Sequence, residues 1–572
     1  MVSLRQDALL LSLRPAGSVR LVPEVGDRRA WERVDGALAR RLVERAERAL
    51  RADAPICPAG ALKANPARYI AAAVSRRELL KALLLGACAS GVSRYAERAA
   101  DLIYAIAEES DWSRAPGEGG YPDFTLRAID ADACETGALM ALALALMRAQ
   151  LDALSPLIAA RIRWEVERRL LTPLIAREAE LLPAEDEAVP RAAAALLTAA
   201  LLLEEDDRRR WLCIRRLLRL LEAHLNARDE SVAFALGLEN YLDRAMAVND
   251  CFALLGEASG GEVELRDEPL FIAMARAFPD AHIGGAWFLN SGGASMRPQL
   301  EPDRLFRLGE AARLKPLRAL AACLNRQGAS ADMPFDRPSP PLLSQVMDAL
   351  SRADLMRESA RERNPEAVES PEHVLLAARM EGFYVALTGT DNRDPRAHLD
   401  AGNAVLFYGG EPVLVDAGMA TATHSVPLVN GREQARNGHP AQDAALREGP
   451  GYRMLSMDIA SAYPREARLS CWQRTWMLAP FEGGVRLMEV FDFDGVPGRA
   501  AFRFVTPHRP RLGEGLIALG PVTMSHDVRL AVSVQPFDLD APARALWGAL
   551  YLLTLEMPED APGGNYAFVF RP

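Results

Sequence analysis

The chain has 572 residues, 50% of them hydrophobic and 25% charged, with a formal net charge of −10. That length gives room for roughly two to four domains with ample core, and the acidic balance excludes a general binder of nucleic acid or anionic membrane. Arginine supplies nearly all the cations, Lys63, Lys81 and Lys315 being the only lysines, so arginine clusters by themselves are weak signs of anion sites. Seven cysteines are scattered singly without a Cys-x-x-Cys pair, which fits small core residues rather than a disulfide framework or a cysteine-zinc site.

In chain order, the start MVSLRQDALLLSLRPAGS has a short apolar run with no cationic stretch before it. It reads as part of the fold rather than as a signal peptide, so the cytoplasm is the expected location. From Arg28 to about Asn325 the pattern is helical. WERVDGALARRLVERAERALRA (31–52), SRYAERAADLIYAIAEES (93–110) and RRRWLCIRRLLRLLEAHLNA (208–227) carry apolar residues at three- and four-residue spacing. Breaks at Pro55–Pro58, Pro116–Pro122, Pro183–Pro190 and Gly256–Gly261 divide them. Repeated helix-turn-helix units of this kind suggest a solenoid or an α/α toroid. The apolar runs Ala133–Met147 and Ala192–Leu203 read as too short and too alanine-rich to span a bilayer.

Residues 326–370 form a proline-rich linker with one helical stretch, and after His373 the chain turns to β structure. Short apolar runs such as HVLLAARM, GFYVALTG, GVRLMEVFDFDG and NYAFVF, separated by Gly, Pro and Asp turns, predict an antiparallel sandwich. The expected organisation is a helical domain over residues 1–325, a linker over 326–370 and a β-sandwich over 371–572.

Within the β half, VLFY (405–408) and PVLVD (412–416) read as a hairpin. His398 and Asp400 precede its first strand, Asp416 ends its second, and His424 follows eight residues later. His398, Asp416 and His424 can meet at one rim of a sheet as three zinc ligands with an open or water-filled fourth position. On spacing alone a polar rim with two unrelated histidines is the commoner reading. Asp400 serves equally well as an orienter of His398, an acceptor for a substrate hydroxyl, or a turn residue. Asn430-Gly431 reads as a type I′ turn.

These same residues resemble the sheet-domain signature of heparinase II/III-like polysaccharide lyases. The matching blocks are His398-Leu399-Asp400-Ala401-Gly402-Asn403, Gly410-Glu411-Pro412 with Asp416-Ala417-Gly418, and His424-Ser425-Val426-Pro427 with Asn430-Gly431 and Gln434. In the helical half, EESDW (108–112), IDADACETG (129–137), RIRWEVERRLLTPLI (161–175) and the segment 227–255 resemble the family as well. The resemblance implies an α/α toroid followed by a β-sandwich, a structural zinc ion on His398, Asp416 and His424, and β-elimination on uronate-containing oligo- or polysaccharides. No nucleic acid or membrane partner is implied, and a homodimer is compatible with it.

The chemical positions depart from the family pattern. The neutralising asparagine falls on Glu187, whose charge is wrong for a site facing a uronate. The first tyrosine of the family's Tyr-x-x-Tyr falls on Leu238, leaving Tyr241 as the candidate base and acid. Arg396 stands where the family has its catalytic histidine; it can bind a carboxylate bidentately but is a poor proton acceptor. Trp112 and Trp287 are candidate sugar platforms, against a commoner role as core residues. The departures also admit a lyase-fold protein that binds a glycan or protein partner without cleaving it, or a hydrolase using the carboxylates of residues 185–187.

Overall fold

The computed structural model describes residues 2–113, 129–176, 182–227, 237–290, 295–328, 334–361, 364–371, 375–389, 392, 398–417, 423–436, 438–479 and 483–572. The chain divides into two compact units whose segments interleave in sequence. The helical unit comprises 1–228, 242–275 and 301–361, and the β-rich unit comprises 229–241, 276–300 and 362–572. The helical pattern of the sequence runs on to about residue 325, yet 276–300 belongs to the β-rich unit. In the structure, 276–300 clusters with the strands because Arg379 donates to the carbonyl of Ile283 at 2.5 Å and Trp287 packs edge-on against Phe407.

Several helices of the first unit start on a side-chain cap. Asp35 caps Gly36–Arg51 by accepting from the Leu38 amide, and Asp130 caps Ala131–Leu154 through the Ala133 amide. Asn65 caps Pro66–Ser90, which opens on a proline and closes on Gly91 in the left-handed region. Successive helices pack in pairs: Gly36–Arg51 on Pro66–Ser90, Ala131–Leu154 on Val189–Leu203, and that helix on Asp207–Ala227. Pro302–Ala311 packs on both Lys315–Gln327 and Leu342–Arg357, and the last of these returns to touch Ala131–Leu154.

Ala131–Leu154 is, among the described residues, the one helix long and apolar enough to cross a membrane by length and composition. The apolar run that looked too short continues into a 24-residue helix. Most of it is buried among its neighbours, as befits the central helix of a globular body. All seven cysteines are free, five of them buried, as their positions in apolar helical patterns suggest.

In the β-rich unit five consecutive strands make an antiparallel meander: Ala367–Ser370, Leu375–Met380, Phe383–Thr388, Asn403–Tyr408 and Glu411–Leu414. The hairpin expected between VLFY and PVLVD is present, and its turn uses Gly409 and Gly410, both at positive φ as in a type I′ turn. A second, eight-stranded antiparallel sheet has Gly563–Arg571 and Gly484–Phe493 at its centre, with Leu469–Ala479 beside the latter, and a third of four strands includes Ala500–Thr506. Side chains from all three meet in one apolar core containing Leu406, Trp472, Trp476, Phe491, Phe502 and Phe568. Asn430 and Gly431 both lie at positive φ between bridged Val429 and Arg432, a second type I′ turn.

One close approach in the helical unit decides a residue choice. A Cβ at Gly86 would sit 2.2 Å from the Ala46 Cβ and 3.3 Å from the Leu42 carbonyl, so the two helices touch through that glycine. Alanine at 86 gains about 1 kcal/mol of helix propensity but overpacks a rigid contact at a cost of about 1–3 kcal/mol. Gly86→Ala is therefore expected to lower stability in chemical denaturation, whereas Gly36→Ala at a roomy helix start is expected to leave it nearly unchanged.

Candidate functional site

The meander places the predicted ligands together. Asn403–Tyr408 pairs with Phe383–Thr388 in register, Asn403 opposite Thr388, so the residues just before it lie at the rim. His398 and Asp400 stand there, Asp416 lies two residues past the adjacent strand, and His424 is brought in by the following loop. His398, Asp400, Asp416 and His424 each offer a donor atom within 4.8 Å of the others, and all four are buried.

The inward faces of the two imidazoles are His398 Nδ1 and His424 Nε2, 3.0 Å apart. His398 Nδ1 lies 3.4 Å from an Asp416 oxygen, and His424 Nε2 lies 3.2 Å from Asp416 Oδ1. A tetrahedral ion with bonds of 2.0–2.1 Å holds its ligand atoms about 3.3–3.4 Å from one another, so these separations match the edges of a zinc coordination shell. Two imidazole nitrogens and carboxylate oxygens are also the donor types a borderline-soft divalent ion takes. The residues present fit such an ion.

The four groups are also coupled electrically. Burial disfavours the charged form of His398, but the neighbouring Asp416 carboxylate outweighs it and holds the imidazole's pKa up to about 8. Burial alone pushes the Asp416 carboxyl up, yet the two imidazoles prevail and keep it well below the usual carboxylate range. Asp400 is 2% exposed and accepts from Thr388 Oγ1 at 3.2 Å. It is one of the four donors that converge at this point.

Sequence reasoning assigned no role to the residues around the ligands. Asn403 donates to Asp416 Oδ2 at 3.1 Å and accepts from the Ser425 amide at 2.9 Å. Gln434 accepts from the Ala401 amide at 3.0 Å and donates to its carbonyl at 2.8 Å. Gly402, at φ +81, sits where a Cβ would meet Ile459 at 2.5 Å. Asn403, Gly402 and Gln434 all lie inside the matched motif, so the signal was present; what they hold in place was not visible without the fold.

The candidate catalytic residues are placed differently. Tyr241 is 1% exposed, its ring 6.0 Å from that of Phe278. Leu238, at the start of the same helix Leu238–Ala258, is 2% exposed. Arg396 lies outside the described residues. Trp112 is buried, its Nε1 donating to the Ile106 carbonyl at 2.9 Å and its ring covered by the Arg169 guanidinium at 4.7 Å. Trp287 is half-buried, stacked on Trp547 at 5.4 Å and approached by Arg297 at 3.9 Å.

The helical unit holds a cavity of about 350 Å³, with Trp112 in its wall. Its described lining carries the carboxylates of Glu78, Asp111, Asp132, Glu135, Asp243, Asp250 and Glu301 against the cations Arg77, Lys81, Arg191 and Arg304. Many are joined in ion pairs: Arg191 with Glu135 at 2.9 Å, Arg304 with Asp243 at 2.7 Å, Lys81 with Glu78 at 2.8 Å. Among the described lining residues acids outnumber cations by three, and Arg45 outside the lining also approaches Glu78, at 3.7 Å.

No family model matches the sequence, and no curated protein matches it. Solved structures do. The heparan sulfate lyase of Pedobacter heparinus aligns over 87% of this chain and 76% of its own at a TM-score of 0.60 and 13% identity. A variant of the Streptomyces coelicolor A3 chondroitin AC lyase aligns over 99% and 82% at a TM-score of 0.59 and 13% identity. The same Streptomyces lyase in complex with chondroitin sulphate aligns over 95% and 82% at a TM-score of 0.51 and 14% identity. At such identities the likeness is one of fold. The chain has the heparinase-like polysaccharide lyase fold, an α/α toroid with an antiparallel β-sandwich.

Beneath the cavity wall Arg307 joins Asp250 at 2.6 Å and Asp348 at 2.9 Å. Burial outweighs these guanidiniums at Asp348 and raises its carboxyl to about 6. A folded-state value above the unfolded one means that the folded protein binds the extra proton, so this group's contribution favours folding below about pH 4 and is lost as pH rises to about 6. At full effect the loss is about 3 kcal/mol. Asp348→Asn is expected to remove that part of the slope of stability against pH between 4 and 6, read by urea denaturation at several pH values beside the parent protein.

Proposed function

We propose that the protein is a lyase that cleaves uronate-containing oligo- or polysaccharides by β-elimination, with a structural zinc ion organising its β-sandwich. The observation that carries this reading is the lyase fold extending over most of the chain. The donor set of His398, Asp416 and His424 supports the metal, and the chondroitin sulphate held by a structure of like fold supports an acidic glycan as substrate.

In the reaction a base removes the proton at C5 beside the uronate carboxylate. The electron pair forms the C4–C5 double bond, the C4–O bond breaks, and an acid delivers a proton to the leaving oxygen. Charge building on the carboxylate must be met by donors in place before the step. Tyr241 takes the base and acid roles and Arg396 binds the carboxylate in this reading. The zinc ion supplies no step: when bound, it ties the loops of His398, Asp416 and His424 to one another and stabilises the sandwich.

A second reading is a lyase-fold protein that binds a glycan or partner without eliminating it. Two observations favour it: Tyr241 is 1% exposed, and acids outnumber cations among the described lining residues of the cavity in the helical unit. Zinc-replete protein incubated with a panel of uronate oligosaccharides separates the readings through the ultraviolet absorbance of the unsaturated product. The lyase reading expects a rise that Tyr241→Phe abolishes with little change in melting temperature. Full activity in that variant would move the base elsewhere, and no rise with folded, metal-bearing protein would favour the binder. For the metal, elemental analysis is expected to find about one zinc per chain, and His398→Ala to lose it and melt lower; unchanged zinc in that variant sinks the assignment.

A further inference from the structure

The apolar core of the β-rich unit contains one feature out of keeping with it. Arg474 and Glu489 face one another across adjacent strands, in direct register, and both are fully buried. Arg474 Nε and Nη2 donate to Glu489 Oε1 at 2.9 and 2.6 Å, and Trp472 Nε1 donates to Glu489 Oε2 at 2.7 Å. The remaining nitrogen, Nη1, donates to two backbone carbonyls, Gly402 at 2.7 Å and Ser425 at 2.5 Å. Gly402 follows Asp400 by two residues, and Ser425 directly follows His424.

A single guanidinium nitrogen thus ties together the two loops that carry the opposed histidines, and its carboxylate partner anchors it to the large sheet. A buried ion pair is a poor device for stability alone, since apolar residues of similar volume do as well or better. A planar donor fork fixed by a carboxylate is, in contrast, well suited to setting the separation of two carbonyls. Asn403 makes a parallel link, from Asp416 to the Ser425 amide, so Ser425 is held through both its backbone polar groups.

We propose that Arg474, backed by Glu489, is a positioning residue for the His398–Asp416–His424 ion site: it sets the gap between the histidine-bearing loops, so that its loss weakens metal binding more than it weakens the fold. This rests on the zinc reading above. Arg474→Lys keeps Glu489 paired but presents a point donor that cannot span both carbonyls. Arg474→Met with Glu489→Gln removes both charges while leaving Trp472 an acceptor.

The test measures zinc affinity by chelator competition, the visible spectrum of the cobalt-substituted protein, and melting temperature with and without chelator, for the parent and both variants. The expected result is roughly ten- to a hundredfold weaker zinc binding, an altered cobalt spectrum, and metal-free melting close to that of the metal-free parent. Unchanged affinity and an unchanged cobalt spectrum in the folded variants would make the pair merely structural and overturn the proposal while leaving the zinc reading intact. A parent protein that binds neither ion would overturn the zinc reading itself, and this proposal with it.

Discussion

Two imidazoles and two carboxylates withdrawn from water at one point are the constraint around which the β-rich unit is arranged. His398, Asp400, Asp416 and His424 are each at most 3% exposed, and Ala401, Val413, Leu414 and Val429 beside them belong to the apolar core. Charges in such surroundings cost several kcal/mol each unless their partners are already in place. The partners come from far apart in the chain: a turn before one strand, the end of the next, and a loop beyond it. Each must arrive at a fixed distance, so Gly402 has to be glycine, Asn403 has to bridge, and a guanidinium from another sheet has to reach across.

That dependence explains what was legible in the sequence and what was not. Period-two and period-3.6 patterns give the two halves, and Gly409-Gly410 and Asn430-Gly431 give two turns, because these follow from local backbone preferences. The meeting of His398, Asp400, Asp416 and His424 at one point is legible only because residue types and spacing match a known motif; spacing alone favours a plain sheet rim. The interleaving of the two units was not legible, since it depends on Arg379 finding the carbonyl of Ile283, a contact between residues almost a hundred positions apart.

Arg474 and Glu489 fall between these cases. Residues 472, 474 and 476 share one face of their strand, and the flanking pair are tryptophans buried in the core. Residues 487, 489, 491 and 493 repeat the pattern, with Glu489 among Leu487, Phe491 and Phe493. A charge at an inward position of each of two strands announces a buried pair. What the pattern lacks is the pair's other end, the carbonyls of Gly402 and Ser425, which only the folded chain supplies.

The positions that hold the fold and those assigned to chemistry answer to different physical demands, and the chain treats them differently. A ligand set or a buried pair tolerates little change, because removing one member strands the charge of the other in an apolar core. A residue that only transfers protons is held by no such penalty, since its replacement leaves no buried charge unpaired. A fold of this kind can therefore keep its internal scaffold while its chemistry drifts. Carboxylates lining the cavity of the helical unit are held in the same way, Glu135 by Arg191 and Asp243 by Arg304.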